Sequence, residues 1–326
     1  MNSAVKKIVV MGGGTGIYPV VSALKELPAD ISTIVTASDS GGSTGRIRDE
    51  FGFPPVGDLR QSLAALAQSE GEEWIRKILL YRFDKGTGIK GHNLGNLLLT
   101  ALQDMTGSTT KALQIAEKIF RIDGEVIPVT EENVHLKITY EDGTEVMGEH
   151  TLDEDIESPK KIVSVSLEPA CKLNPSAAKA IEQADLIIIG PGDYYASLMA
   201  VLVAEGIQQA MAKSTAKILY AVNLMTRLTQ TFEMSALDHV KGIEKVIGKP
   251  IDFILLNSEQ IPAEILAKYA AEKEYPVVDD CGSDPRVVRA PLLEDTVFQQ
   301  QNNDTAHRSV LRHNQSKLKT VLQNIL

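Results

Sequence analysis

Glycine clusters set beside an acid and a guanidinium are the parts of a phosphate-binding chemistry, and this chain carries them near its start. Gly12-Gly13-Gly14-Thr15-Gly16 follows the apolar run Ile8 to Met11, and Asp39-Ser40-Gly41-Gly42-Ser43-Thr44-Gly45-Arg46 ends the next apolar segment. Glycines let backbone N–H groups approach a phosphate with no Cβ in the way; Thr15 adds a hydroxyl, and the Arg46 fork matches phosphate geometry. Asp39 stands where a doubly wound fold places an acid on a ribose hydroxyl. Glycines at strand ends also make plain tight turns, and a basic loop tip also serves as solvated surface. The spacing is not the dinucleotide fingerprint, because the sixth position counted from Gly12 or Gly14 is Ile17 or Pro19. That argues against an NAD-dependent oxidoreductase, and no Gly-x-x-x-x-Gly-Lys-Ser/Thr loop occurs.

Four further clusters carry polar groups without an apolar need for them. Asp58 and Arg60 follow Pro54-Pro55, with Asp58 readable as a helix cap and Arg60 as its partner. Gly91-His92-Asn93-Leu94-Gly95-Asn96 opens a patterned helix, where His92, Asn93 and Asn96 are either ligand contacts or a cap and a structural histidine. Gly190-Pro191-Gly192-Asp193 precedes a helix near Tyr195 to Ser197 and reads as a second anion-binding N-terminus. Asn223-Leu224-Met225-Thr226 ends another strand, a place for amides and hydroxyls that hold a base or ribose. Asp279-Asp280 near Asp284 reads as a cation site or, more simply, as solvent-facing acids. No Ser-His-Asp or Cys-His arrangement can be assembled from sequence, so no catalytic residue is named.

The elements that must position these loops form a βα alternation. Short apolar segments at Ile8 to Met11, Ile31 to Ala37, Leu186 to Ile189, Ile218 to Val222 and Ile251 to Leu256 are each followed by a polar cluster and a helical pattern. This predicts an α/β, doubly wound, mostly parallel Rossmann-like sheet whose carboxyl strand ends form the ligand crevice. A helical block lies between the second and third strands. In it, Leu94, Leu97, Leu98, Ala101, Leu102 and Met105 share one face that is expected to be core, and Leu59, Leu63 and Leu66 share another. From Gly124 to Pro169 the alternation Val134, Leu136, Ile138, Tyr140 and the Asp142-Gly143 turn suggest a small β lobe, 124–169, inserted in one 1–326 domain. Ser309 to Leu326 reads as a final amphipathic helix, preceded by a polar Gln299 to Asp304 stretch expected to be mobile.

Composition narrows the function classes. The 326 residues are 43% apolar and 23% charged, with a net charge of −10, ordinary for a soluble protein and unfavourable for a general nucleic-acid surface. No stretch is long enough to span a bilayer or to serve as a signal peptide, so a cytoplasmic protein is expected. Cys171 and Cys281 have no metal-type spacing, and the six histidines form no ligand pair, so neither a disulfide framework nor a histidine-built metal site is expected.

Taken in order, Gly12 to Gly16, Ser38 to Arg46, Pro54-Pro55-Val56-Gly57-Asp58-Leu59-Arg60, Gly91 to Leu98, Gly190-Pro191-Gly192 and Asn223 to Thr226 resemble the YvcK/CofD-like family over nearly the whole chain. The likeness is greatest to the YvcK branch, the bacterial gluconeogenesis factors. It implies a cytoplasmic regulatory protein that binds UDP-sugars such as UDP-N-acetylglucosamine and is linked to cell shape and wall synthesis under gluconeogenic growth. Wall-synthesis regulatory proteins are then candidate partners, a homo-oligomer is compatible, and no cofactor is required. The alternative is the CofD activity, transfer of a phospholactyl group from a nucleotide donor to a deazaflavin precursor with Mg²⁺. The resemblance implies that Gly12 to Gly16, Asp39, Arg46, Asn93, Asn96, Gly190 to Gly192 and Asn223 line the nucleotide site.

The chain also departs from that pattern. Asp193 stands in Gly190-Pro191-Gly192-Asp193-Tyr194-Tyr195-Ala196-Ser197 where the family usually has serine, and a carboxylate there repels a phosphate unless a cation intervenes. Arg227-Leu228-Thr229-Gln230-Thr231 replaces the usual Gln-Pro-Gly-Glu-Thr, and Ser40 replaces a common second aspartate. With those acids gone, binding is expected rather than metal-assisted catalysis.

Overall fold

The computed structural model describes residues 5–67, 73–149, 152, 160–295 and 309–326. The first strand, β1 (Lys6–Gly12), is an unbroken apolar run, and the structure uses both of its faces. Val9 and Met11 enter one hydrophobic cluster while Ile8 and Val10 enter another. A strand with two buried faces has no polar positions to spare, which is why its sequence lacks alternation.

β2 (Ala29–Val35), β3 (Glu125–Pro128), β7 (Leu186–Ile189), β8 (Lys217–Ala221), β9 (Phe253–Asn257) and β10 (Val287–Ala290) complete one sheet in the order β10-β9-β8-β7-β1-β2-β3. Every neighbouring pair in that sheet is parallel, with Ile8 level with Ile31 on one side and Leu186 on the other. The doubly wound α/β architecture expected from the sequence is therefore present. A second sheet, antiparallel and in the order β5-β4-β6, holds β4 (His135–Tyr140), β5 (Glu145–Met147) and β6 (Ile162–Glu168).

Two strands differ from the sequence expectation. Val126 to Pro128 fall within the 124–169 lobe by sequence, yet β3 pairs with β2 and forms an edge of the large sheet, and the antiparallel sheet begins at β4. β10 has only four residues, one of them arginine, too short and too polar for an apolar-run signal. The second strand also starts and ends two residues earlier than Ile31 to Ala37. The stretch Gln299 to Asp304, expected to be mobile, lies outside the described residues.

The helical block follows β2 as α2 (Gly42–Phe51), α3 (Gly57–Leu66), α4 (Glu73–Leu80), α5 (Leu94–Thr106) and α6 (Thr109–Phe120), with α1 (Tyr18–Leu24) preceding β2. α5 does not bury its leucine face: Met105 is 80% exposed and Leu98 is also exposed, whereas Leu99, Asn96, Thr100 and Gln103 point inward. Their amide nitrogens find partners there, Gln103 Nε2 on the Pro54 carbonyl and Asn96 Nδ2 on Thr44 Oγ1, while Asn96 Oδ1 and Gln103 Oε1 have none among the described residues. Hydrogen-bonded amides compete successfully with leucine for the interior, which a pattern of apolar spacing cannot register.

On the other side of the sheet lie α7 (Pro175–Gln183), the π-helical turn Tyr194–Met199 continuing as α8 (Ala200–Leu202), α9 (Ile207–Lys213) and α10 (Ala236–Ile247). α11 (Ala263–Ala271) follows β9, and α12 (Gln315–Ile325) closes the chain against α1. Among the described residues no helix is long and apolar enough to cross a membrane.

Candidate functional site

β1 and β7 lie side by side, and the chain winds away from them in opposite directions, β2 and β3 to one flank and β8 to β10 to the other. Loops leaving the carboxyl ends of such a pair separate into a crevice, the usual binding place in open parallel sheets. The loop after β1 and the loop after β7 meet there. A Cβ on Gly16 would stand 2.5 Å from the Pro191 carbonyl oxygen, and one on Gly14 would collide with the Asp58 carbonyl and with Gln61 at the start of α3. These glycines are thus required by the protein's own backbone packing, whatever a ligand adds. Asp58 is not the cap of α3: Val56 occupies that position and Asp58 sits in the first turn.

The crevice is a cleft of about 270 Å³. Gly13, Thr15, Gly16, Asp58, Pro191, Gly192, Asn223 and Thr226 line it, all of them named from sequence. The structure adds residues that spacing did not reveal, among them Ser197, Tyr269, Glu274, Arg312 and His313. Ser197 arrives on the π-helical turn, and Arg312 and His313 on the segment before α12. None of these lies in a glycine-rich loop, so a search for phosphate loops passes over them.

Asp193 and Arg227, two of the departures noted above, are partners. Arg227 Nη1 donates to Asp193 Oδ2 at 2.5 Å, and both residues line the cleft. The cation that Asp193 called for is therefore supplied by the chain itself, and the carboxylate does not face a ligand unpaired.

Gln230 has a structural task beside it. Its Oε1 accepts from the N–H groups of Tyr195 and Ala196, each at 3.2 Å. The turn after Pro191, expected to offer free N–H groups to an anion, has these two already satisfied. Asn223 reaches across from the β8 end, Nδ2 donating to the Gly192 carbonyl at 2.8 Å. Thr226 is held against Tyr275, whose N–H donates to Thr226 Oγ1 at 3.0 Å.

The remaining candidates gather in a second polar cluster, where the start of α2 meets the start of α5. Residues 42–46 are the first turn of α2 and not an open loop. Asp39 Oδ1 accepts from the Gly41 N–H at 2.9 Å, and a Cβ on Gly57 would press on the other Asp39 oxygen. Ser43 Oγ accepts from the Asn93 N–H at 3.2 Å and lies 3.3 Å from His92 Nδ1. Asn93 caps α5 through Oδ1, which accepts from the Asn96 N–H. Arg46 is exposed beside Gly91, close enough that a Cβ there would lie 3.1 Å from Nη2. Burial, and then the Arg46 charge, hold His92 below its ordinary value, so its ring is neutral near pH 7. Arg60 is buried against Gly95. Gly12, Gly14 and Gly190 are not among the lining residues; a Cβ on Gly12 or Gly190 would meet Leu198, and one on Gly14 the Asp58 carbonyl. The candidates thus fall into two groups that meet at the start of α3, through Gly57 beside Asp39 and Asp58 beside Gly13.

The arrangement has counterparts in known proteins. Residues 8–296 match the family profile described as 2-phospho-L-lactate transferase CofD. The gluconeogenesis factor of Bacillus subtilis is 37% identical over 98% of this chain and 98% of its own length. The gluconeogenesis factor of Halalkalibacterium halodurans is 38% identical over 96% and 94% of the two chains. A crystal structure of a UPF0052 family member from Bacillus halodurans superimposes with a TM-score of 0.88 at 34% identity, covering 99% of this chain and all of that one. With sequence, fold and crevice in agreement, the chain belongs to the CofD/YvcK (UPF0052) family, among relatives named gluconeogenesis factor.

Proposed function

We propose that this protein is a cytoplasmic nucleotide-sugar-binding regulator, holding a UDP-sugar such as UDP-N-acetylglucosamine in the cleft between β1 and β7 and acting on cell shape and wall synthesis during gluconeogenic growth. The observation that carries the proposal is the position of the cleft, at the carboxyl ends of parallel strands where the winding reverses, walled by Gly13, Thr15, Gly192 and Asn223. The cluster that holds Asp39 meets the cleft at the start of α3, through Gly57 and Asp58. The names of the B. subtilis and H. halodurans relatives support the physiological setting. The sign of the wall fits too, since the Asp193 carboxylate is neutralised by Arg227.

The test is a thermal-shift and calorimetry panel of UDP-N-acetylglucosamine, other UDP-sugars, GDP and NAD, each with and without Mg²⁺. A true ligand at a hundredfold excess over its Kd adds roughly 2.7 kcal/mol of stability, well within detection. Stabilisation by a UDP-sugar is the expected result, and no shift with any of them rejects the reading. The description of the matching family profile keeps a transferase in view: it requires Mg²⁺-dependent consumption of a nucleotide donor, which the same panel reads as turnover instead of saturation.

A further inference from the structure

Three residues that line the cleft each carry a buried polar atom with no partner among the described residues: Asn223 Oδ1, Gln230 Nε2 and His313 Nε2. All three atoms are shut off from bulk water, and Gln230 and His313 as whole residues are only 5% and 6% exposed. A buried donor or acceptor left unpaired is destabilising, so three around one cleft form a demand that a bound molecule can meet.

The chemical identity of each atom is fixed by its neighbours. Turning the Asn223 amide over would set its oxygen against the Gly192 carbonyl, so Nδ2 is the donor and Oδ1 the spare acceptor. Turning Gln230 over would aim its NH₂ at the N–H groups of Tyr195 and Ala196, so Oε1 is the acceptor and Nε2 the spare donor. The His313 ring shares a hydrogen bond with the backbone of Val222, which leaves Nε2 as the acceptor of a neutral imidazole. Burial pushes His313 down to about 4, so that state holds throughout the neutral range.

A phosphate at neutral pH offers only acceptors, which Asn223 Oδ1 and His313 Nε2 would repel. We propose that Gln230, His313 and Asn223 form a specificity floor that takes the uncharged, hydrogen-bond-donating part of the ligand, with Gln230 and His313 as recognition residues. The chemistry is one acceptor and two N–H or O–H donors on the ligand, found on the hydroxyls of the ribose or of the sugar, whereas a uracil edge brings only one N–H donor. The diphosphate then lies away from this floor, toward the glycine loop and Arg46. The inference rests on the nucleotide-sugar reading and deepens it.

Two substitutions separate recognition from structure. Gln230→Glu keeps an oxygen for the Tyr195 and Ala196 N–H groups and replaces only the spare donor, while His313→Phe keeps a ring and removes the acceptor. Calorimetry uses UDP-N-acetylglucosamine, uridine, N-acetylglucosamine 1-phosphate and pyrophosphate at about pH 8 and about pH 5.5. Wild-type affinity is expected to be equal at both. His313→Phe should weaken UDP-N-acetylglucosamine at least about tenfold, and Gln230→Glu should do so at the higher pH with partial recovery at the lower, where its carboxyl regains a proton. Pyrophosphate binding should be unaffected in both variants. Whichever of uridine or N-acetylglucosamine 1-phosphate is weakened in parallel identifies the end of the ligand that meets the floor. A shift of the His313 ¹⁵Nε2 resonance on adding UDP-N-acetylglucosamine reads the same contact in the unsubstituted protein, whether or not His313→Phe folds. If Gln230→Glu, folded and of native melting temperature, binds UDP-N-acetylglucosamine as the wild type does at both pH values and the resonance does not move, the floor is not a recognition surface and the nucleotide-sugar reading survives. If the wild type binds none of the probes, that reading falls and the floor with it.

Discussion

At the residue scale the cleft is governed by substitutions that make sense only in pairs. Asp193 by itself is a repulsive group in a site proposed for a diphosphate, and Arg227 by itself is an unexplained cation. Joined at 2.5 Å they leave the wall neutral. Asp193→Ser or Arg227→Gln alone should therefore disturb UDP-sugar binding in opposite senses, tighter for the first and weaker for the second. The double variant should depart from the sum of the two single effects. A double-mutant cycle on the Kd is expected to show a coupling of roughly 0.5–1 kcal/mol, since the pair is partly exposed and screened. Additive effects would mean that the two side chains act independently. A second change tests the loop itself: Gly14→Ala places a methyl group against the Asp58 carbonyl, and overpacking of this kind should cost about 1–3 kcal/mol in chemical denaturation. The glycines, Asn223 and Thr226 were legible because each stands directly after an apolar run. Ser197, Tyr269, Glu274, Arg312 and His313 were not, because the fold brings them to the cleft from a π-helical turn, a helix flank and a segment about 300 residues from the glycine loop.

At the element scale, α5 shows where periodicity misleads. Its leucines repeat at helical spacing, yet the face that turns inward is Asn96, Leu99, Thr100 and Gln103, because Thr44, Pro54 and Thr109 present polar atoms that only amides and hydroxyls can satisfy. The parallel strands β1, β2, β7, β8 and β9, by contrast, were readable from continuous apolar runs that could be buried only on both faces. The reversal on α5 has a measurable consequence. Met105→Lys should change stability by less than about 0.5 kcal/mol, while Leu99→Ala should cost about 2–5 kcal/mol by leaving a cavity. Urea unfolding of the two variants distinguishes the observed face from the one that spacing alone selects. A large loss on Met105→Lys would reverse the assignment.

At the scale of the whole molecule, burial sets two groups against each other in the pH dependence of stability. His313 is held at about 4 in the folded protein, against an ordinary 6.5, by desolvation. The unfolded chain therefore takes up that proton first, and stability falls as the pH drops from about 6.5 toward 4, by at most about 3 kcal/mol. Buried His239 and His92 and the exposed His135 are shifted in the same direction. Glu117 does the reverse. Burial raises its carboxyl to about 7 although its Oε1 accepts from the Val126 N–H on the edge strand β3 at 2.7 Å. There the folded state binds the proton more tightly, so stability is gained as the pH falls through 7 toward 4.5. Asp142 and Asp284, held low by Lys160 and Arg286, give up their contributions only in stronger acid and do not enter this window. Between about pH 4.5 and 6.5 the opposing terms partly cancel, so the wild-type urea midpoint should vary weakly with pH. Glu117→Gln keeps an acceptor for Val126 and removes the titrating group. Its midpoint should rise above the wild type at about pH 8, approach it at about pH 5, and expose the full acid slope of the histidines. Parallel pH profiles for the variant and the wild type would mean that Glu117 ionises as freely in the folded chain as in the unfolded one.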